Sequence, residues 1–414
     1  MSERRLAVWL GGERVGTLSA TEGDAELRFT YAEPAPARPV SLALPLEGEP
    51  RSSFATRAFF DGLLPEQSVR EQSARQLGIS PGNSFGLLRA LGRDCAGAVV
   101  LLDEDAPAPR PGGTVEWLTR DELDQLVAGL RRAPLGAGQK RRASLAGAQS
   151  KVVLVRDPAG RYGLPWEDAP STHLLKPQWP DTDWPDIAFN ERFCMRVAEC
   201  VGFTVARTSL VTVADLSCLL VERYDRTFAG PVLTRIHQED LCQAFGISPI
   251  FKYQAEGGPS VAAAVDLLRR SSVRAGADVL AFVDAVIFNW AIGNSDAHGK
   301  NFSLLHADDG LRLAPLYDLV STAVYPELDH DLAMAVGETF DPDAVDAGDW
   351  LDFADDAGLR FAALERRRDA LLARIARCAT TVRDLAVAEG WHRPVIDDVV
   401  ALVERRAAGR EAVS

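Results

Sequence analysis

Asn289-Trp290-Ala291-Ile292-Gly293-Asn294-Ser295-Asp296-Ala297-His298-Gly299-Lys300-Asn301-Phe302-Ser303-Leu304-Leu305 is the stretch on which the reading of the whole chain turns. It follows a strongly apolar segment with helical character and sets a carboxylate, Asp296, five residues before a neutral amide, Asn301. Moving a phosphoryl group onto a hydroxyl needs one carboxylate to accept the hydroxyl proton and one oxygen ligand to hold Mg²⁺ nearby, on a short rigid loop. A second carboxylate follows. Residues 302–305, an Asp308-Asp309-Gly310 turn and residues 311–316 read as a hairpin that ends in Tyr317-Asp318-Leu319.

The Asp296–Asn301 interval is that of a protein-kinase catalytic loop, and Asp318 stands where a kinase places its second metal ligand. Taken singly, Asp296 is better explained as a helix cap and Asp318 as a turn residue. The three in register favour the kinase reading.

Working outward from that loop, the 414-residue chain is 47% hydrophobic and 25% charged, enough for two or three globular domains. No uninterrupted apolar run reaches the length of a membrane span, no signal peptide is visible at Met1-Ser2-Glu3-Arg4-Arg5-Leu6, and a cytoplasmic location is expected. The six cysteines contain no C-x-x-C pair and read as reduced core residues, and the scattered histidines give no zinc site. A net charge of −14 argues against the whole surface binding nucleic acid and leaves room for local basic spots such as Lys140-Arg141-Arg142. Only five lysines stand against forty arginines, and three of them, Lys151, Lys176 and Lys300, fall inside the motifs described here.

Residues 1–105 read as a small β-rich domain: strands over 4–31, a short strand over 40–44, one helix over 57–77, another near 84–91, and a strand over 98–102. A Pro-, Gly- and Asp-rich linker spans 103–113. Residues 114–224 read as an N-lobe. Thr119 caps a helix with Glu122 three residues on, as a capping box. The small-residue segment 136–151 suits a loop that covers nucleotide phosphates with its backbone N–H groups. Lys176 ends a strand at Pro177. On the helix over 185–201, Glu191 lies in the middle of an apolar face, with Ile187, Ala188, Cys194, Met195 and Ala198 within about 60° of it on either side. A core-facing carboxylate needs a partner, and Lys176 is expected to supply it, as in the strand-Lys to helix-Glu pair of kinases. The strand ending at Glu222 leads into a hinge, and residues 225–414 read as a helical C-lobe, with helices over 238–245, 261–270, 278–292, 360–389 and 395–406 and a strand over 328–336. The expected fold is α+β and two-lobed, of protein-kinase type, with an extra N-terminal domain.

Ser144-Leu145-Ala146-Gly147-Ala148-Gln149-Ser150-Lys151, His173-Leu174-Leu175-Lys176, Val221-Glu222-Arg223-Tyr224-Asp225-Arg226, His237-Gln238-Glu239-Asp240-Leu241-Cys242-Gln243 and the Gly293–Asn301 loop together resemble the HipA family, bacterial serine/threonine kinases that act as toxins of toxin–antitoxin modules. The resemblance implies Asp296 as catalytic aspartate and Asn301 and Asp318 as Mg²⁺ ligands. It implies ATP contacts from Ala146, Gly147, Ala148, Gln149, Lys151, Lys176, His298 and Lys300, and backbone contacts to adenine from Glu222 and Tyr224. Ser144 matches the serine such kinases phosphorylate on themselves; Ser150 departs from the pattern, since an acidic residue is common there. The family's toxin substrates include aminoacyl-tRNA synthetases, and its usual partner is a small helix-turn-helix antitoxin of HipB type, through which DNA is met only indirectly. Two other readings stay open. One is a small-molecule kinase of aminoglycoside-kinase type, which shares the Asp-to-Asn spacing. The other is a weakly active kinase-fold subunit of a DNA-bound repressor complex.

Overall fold

The computed structural model describes residues 4–21, 26–47, 53–110, 112–131, 151–229 and 232–409. Its elements in chain order are β1 (Arg4–Leu10), β2 (Glu13–Ala20), β3 (Leu27–Tyr31), α1 (Ser53–Gly62), α2 (Gln67–Leu77), α3 (Ser84–Leu91), β4 (Val99–Asp103), β5 (Thr114–Trp117), α4 (Arg120–Gly129), β6 (Val152–Arg156), β7 (Tyr162–Trp166), β8 (His173–Pro177) and α5 (Ile187–Val201). There follow β9 (Thr208–Val213), β10 (Leu216–Glu222), β11 (Arg226–Ala229), β12 (Val232–Arg235), β13 (His237–Asp240), α6 (Leu241–Phe245), α7 (Val261–Ser271), α8 (Ala275–Ile292), β14 (Ser303–Ala307), β15 (Gly310–Leu313), α9 (Ala347–Asp356), α10 (Phe361–Ala388) and α11 (Pro394–Ala408). The chain divides into two compact units. The first is Met1–Pro177, Val211–Ile250 and Leu305–Ala307; the second is Gln178–Leu210, Phe251–Leu304 and Asp308–Ser414.

In the first unit an antiparallel sheet of order β3-β2-β1-β4 packs on α1. In β3, Leu27 and Phe29 point inward while Arg28 and Thr30 point out, the alternation a half-buried strand requires. Phe29 meets Phe60 at 5.5 Å between ring centroids, and Phe60 meets Phe59 edge-on at 5.1 Å. The helix expected over 57–77 is two helices, α1 and α2. Pro65 withholds a donor and disfavours helical backbone at Leu64, and the chain turns there with Leu63 and Leu64 buried.

The strand expected over 40–44 is an irregular buried segment. Its backbone groups find side chains instead of a neighbouring strand: Val40 N–H donates to the Tyr31 hydroxyl (2.9 Å), and Leu42 N–H donates to the Glu239 carboxylate (3.1 Å). A second sheet carries β5-β7-β6-β8-β10 in that order. The Thr119 capping box opens α4 as the sequence predicts. The helix expected from 238 starts later. Asp240 accepts from Gln243 N–H (2.8 Å) and starts α6 there, so His237–Asp240 remains a strand.

In the second unit α8 is the central helix. It is long and apolar enough to cross a membrane by length and composition, and Phe282, Ile287, Phe288 and Ala291 are fully buried inside the unit. α10 packs on α5, α8 and α11. The strand expected over 328–336 is irregular, because Ala333 N–H donates to Ser295 O (3.1 Å) and Leu332 N–H to Phe340 O (2.8 Å). The expectation of reduced cysteines also fails in part. Cys200 at the end of α5 is disulfide-bonded to Cys378 in α10, while Cys95, Cys194, Cys218 and Cys242 are free and buried.

Candidate active site

The Asp296 loop is built by the second unit alone. Gly293 ends α8 at φ +71°, with its N–H returned to Trp290 O at 3.1 Å. The loop is then fixed from several sides. Thr322 Oγ1 donates to Gly293 O (3.1 Å) and accepts from Ser295 N–H (2.7 Å). Asn294 donates to the Asn289 side chain (2.8 Å) and its own oxygen accepts from Asp296 N–H (3.2 Å). Gly299 N–H donates to Lys252 O (3.1 Å).

On this frame the Asp296 carboxylate is half-exposed. His298 Nε2 lies 3.8 Å from its Oδ1, and the His298 ring is buried, with Nδ1 accepting from Lys300 N–H (3.3 Å). The Tyr253 hydroxyl donates to the same Asp296 oxygen at 2.5 Å. Tyr253 was absent from the sequence reading, since nothing local to Asp296 points to a residue 43 positions upstream.

Asn301 is buried, and its side-chain oxygen has no hydrogen-bond partner among the described residues. Leaving such an oxygen bare costs about 1–3 kcal/mol, so it fits a role in which something else binds it. Asp318 is exposed and adopts φ +58°, a left-handed backbone that aspartate tolerates better than most residues. The two are held on adjoining strands of chain. The Tyr317 hydroxyl donates to Lys300 O (2.5 Å) and bonds Ser303 Oγ (2.7 Å), and Ala314 N–H donates to Ser303 O (2.8 Å). Among the described residues no group of three or more His, Cys, Asp or Glu could hold a metal ion. One carboxylate and one amide oxygen are a donor set for a hard cation that takes its remaining ligands from phosphate and water, as Mg²⁺ does. A partly open cavity is lined by Trp290, Asn294, Ala297, Phe302 and Met334.

Glu191 is buried on α5, as its place on the apolar face predicts. The residue before it, Asn190, ties α5 to the chain beyond Asp318 by donating to Ser321 O and accepting from Ser321 N–H, both at 2.9 Å.

The first unit carries the remaining candidates. Lys176 is buried on β8, opposite Leu219 of β10, and His173 stands opposite Glu222. Lys176 and Glu222 are therefore about 10 Å apart along the ladder. In β6, Val152 pairs with Leu175, so the register extended by one residue sets Lys151 across from Lys176. Glu222 is exposed, and the half-buried Tyr224 hydroxyl donates to Gln238 Oε1. Ser144, Ala146, Gly147, Ala148 and Gln149 lie outside the described residues.

Behind Glu222 and Tyr224 lies a buried charge network that the sequence did not disclose. Arg223 grips Asp225 through two bonds (2.9 and 2.7 Å), and Arg226 reaches Asp94 at 2.9 Å. Gly97 N–H donates to Asp225 at 2.7 Å. Burial alone would raise both carboxyls. The guanidinium groups of Arg226, Arg223 and Arg235 around Asp94, and of Arg223 and Arg226 around Asp225, hold them below the usual carboxylate range. The network anchors the chain on either side of Tyr224 to the segment after α3.

The architecture and this site define an α+β protein of kinase-like fold. Its sequence matches the HipA N-terminal domain over residues 6–102 and the HipA-like C-terminal domain over residues 143–385. The chain belongs to the HipA family. It is 31% identical over 372 residues to the serine/threonine-protein kinase toxin HipA of Shewanella oneidensis, covering 86% of this chain and 83% of that protein. It is 43% identical over 377 residues to Y4mE of Sinorhizobium fredii, which carries the name of a kinase, covering 89% of each. Among solved structures, one from a complex of Shewanella oneidensis HipA, HipB and operator DNA matches with a TM-score of 0.78 at 26% identity, over 98% of this chain and 96% of that one.

Proposed function

We propose that this protein is an ATP-dependent protein serine/threonine kinase that acts as the toxin of a toxin–antitoxin module. The observation that carries the proposal is the buried, unpartnered Asn301 oxygen on the same fixed loop as the half-exposed Asp296 carboxylate. In this reading Asp296 accepts the proton of the acceptor hydroxyl. The acceptor oxygen bonds to the γ-phosphorus, the bond to the bridging oxygen breaks, and ADP leaves. Asn301 and Asp318 would hold Mg²⁺, which when bound neutralises charge on the phosphoryl oxygens. Lys151, Lys176, His298 and Lys300 would each contact ATP, and the backbone at Glu222 and Tyr224 would meet adenine.

Relatives named as kinases support ATP as the phosphoryl donor. The protein acceptor in this proposal is an aminoacyl-tRNA synthetase, and Ser144 is a site of self-modification. The Shewanella oneidensis complex supports a HipB-type antitoxin as partner, with DNA reached through it. The test is incubation of the purified protein with γ-labelled ATP and Mg²⁺. Label on the protein itself and on an added protein acceptor supports the proposal. Label only on small hydroxyl compounds would replace it with a small-molecule kinase, and no transfer at all with a non-catalytic binding subunit.

A further inference from the structure

We infer that Tyr253 is a positioning residue for phosphoryl transfer, holding the Asp296 carboxylate in the orientation from which its other oxygen takes the acceptor proton. The inference rests on the kinase reading above and adds a residue to that site.

Four observations place Tyr253 as a built part of the loop and not as a passing neighbour. Its hydroxyl donates to Asp296 Oδ1 at 2.5 Å, a charge-assisted bond and among the stronger kinds. Its ring stands edge-on to the buried His298 imidazole, centroids 5.3 Å apart and planes at 82°. The Lys252 ammonium lies 5.5 Å from the centre of the same ring, where the π-face attracts a cation. The backbone around it is locked on both sides. Lys252 O accepts from Gly299 N–H (3.1 Å), three residues past Asp296, and Gln254 N–H donates to Ala333 O (2.9 Å). Ala333 in turn donates to Ser295 O (3.1 Å), the residue before Asp296. The phenol is thus delivered to the carboxylate by a segment bonded to the catalytic loop before and after it.

The physical consequence is a fixed rotamer. A half-exposed aspartate can turn about χ1 and χ2, and only some of those orientations aim an oxygen at an incoming hydroxyl. Binding Oδ1 to a donor whose own backbone is anchored removes that freedom before the acceptor arrives, which is how reacting groups are pre-positioned. The opposite role is also physically possible: a hydroxyl bonded to Asp296 stands where an acceptor hydroxyl would stand, so Tyr253 would block the site until displaced. The two-sided backbone anchoring favours positioning, because a gate must move and this segment is bonded to the element it would have to leave.

Tyr253→Phe keeps the ring, its His298 and Lys252 contacts and the fold, and deletes only the hydroxyl. Positioning predicts that kcat falls about ten-fold or more, the worth of a hydrogen bond to a charged group, while KM for ATP stays at its wild-type value and the variant remains folded. Unchanged kcat would overturn the inference. A higher kcat or a lower KM for the acceptor would overturn it in favour of the blocking role. The contact itself is measured without turnover, by urea unfolding of Tyr253→Phe, Asp296→Ala and the double variant. Less-than-additive effects support the clamp whatever the activity proves to be, and additive effects overturn it.

Discussion

Gly293→Ala is the sharpest test of how the site is built, because two independent costs fall on one methyl group. The residue sits at φ +71°, where a Cβ costs about 1–2 kcal/mol. That Cβ would also lie 2.5 Å from Leu402 Cδ2 in α11 and 2.7 Å from Ala323 Cβ, both inside van der Waals contact. Overpacking of this kind costs about 1–3 kcal/mol. Stiffening of the unfolded chain returns about 0.4–1 kcal/mol. The expected net loss is therefore about 1–5 kcal/mol, read as a lower urea midpoint with an unchanged slope.

Function should suffer in addition. Relief of the clash requires the end of α8 to move by about 1 Å, and a displacement of that size at a catalytic group can cost about a hundred-fold in rate. Ala323 N–H also donates to Gly293 O (2.9 Å), so the shift reaches the segment beyond Asp318 as well. Gly293→Ala with near-wild-type stability and near-wild-type phosphoryl transfer would refute both the packing argument and the claim that the α8 terminus sets the loop.

Three further outcomes are expected. Asp296→Asn should abolish transfer to protein acceptors while sparing nucleotide affinity, measured by calorimetric titration, since it removes the proton acceptor and leaves the phosphate-binding groups in place. Asp318→Ala should weaken Mg²⁺-dependent ATP binding more than Asn301→Ala does, because a charged oxygen holds a hard dication better than an amide; equal small losses would speak against metal ligation. Stability should fall as pH drops from about 6.5 toward 4. His237 is pushed down to about 3 by burial, with His306 adding to the effect, and His173 to about 4 by burial and Arg156. Both stay neutral in the fold while the unfolded chain, with an ordinary histidine value near 6.5, takes up protons, so the unfolded state is favoured on acidification. A urea midpoint that is the same at pH 7 and pH 5 would contradict this.

What the sequence disclosed follows from the range of the interactions. The Asp296–Asn301 spacing, the Thr119 capping box and the apolar face of α5 are settled within a few residues, so they are readable from local order. The break at Pro65 had a local signal too, in a proline that withholds its N–H. The remaining features join distant positions. Asp94 and Arg226 are 132 residues apart, Cys200 and Cys378 are 178 apart, and Leu42 meets Glu239 across 197. No periodicity encodes such a pairing. The buried charges could be suspected only as polar residues in apolar surroundings, and their partners not at all.

That division bears on how much weight a catalytic motif deserves. An aspartate and an asparagine five apart occur by chance in many chains, and the spacing alone fixes no geometry. Useful catalysis needs the groups held to within about 0.5 Å, and that precision comes from the supporting residues. Here segments from three other parts of the second unit converge on the loop: Lys252 on Gly299, Thr322 on Gly293 and Ser295, and Ala333 on Ser295. Each uses a backbone donor or acceptor that would otherwise be buried without a partner, so the loop cannot relax without exposing or orphaning several polar groups at once. Among the described residues the Asn301 side-chain oxygen is one of the buried polar atoms on this scaffold that has no hydrogen-bond partner, and a ligand there would supply one.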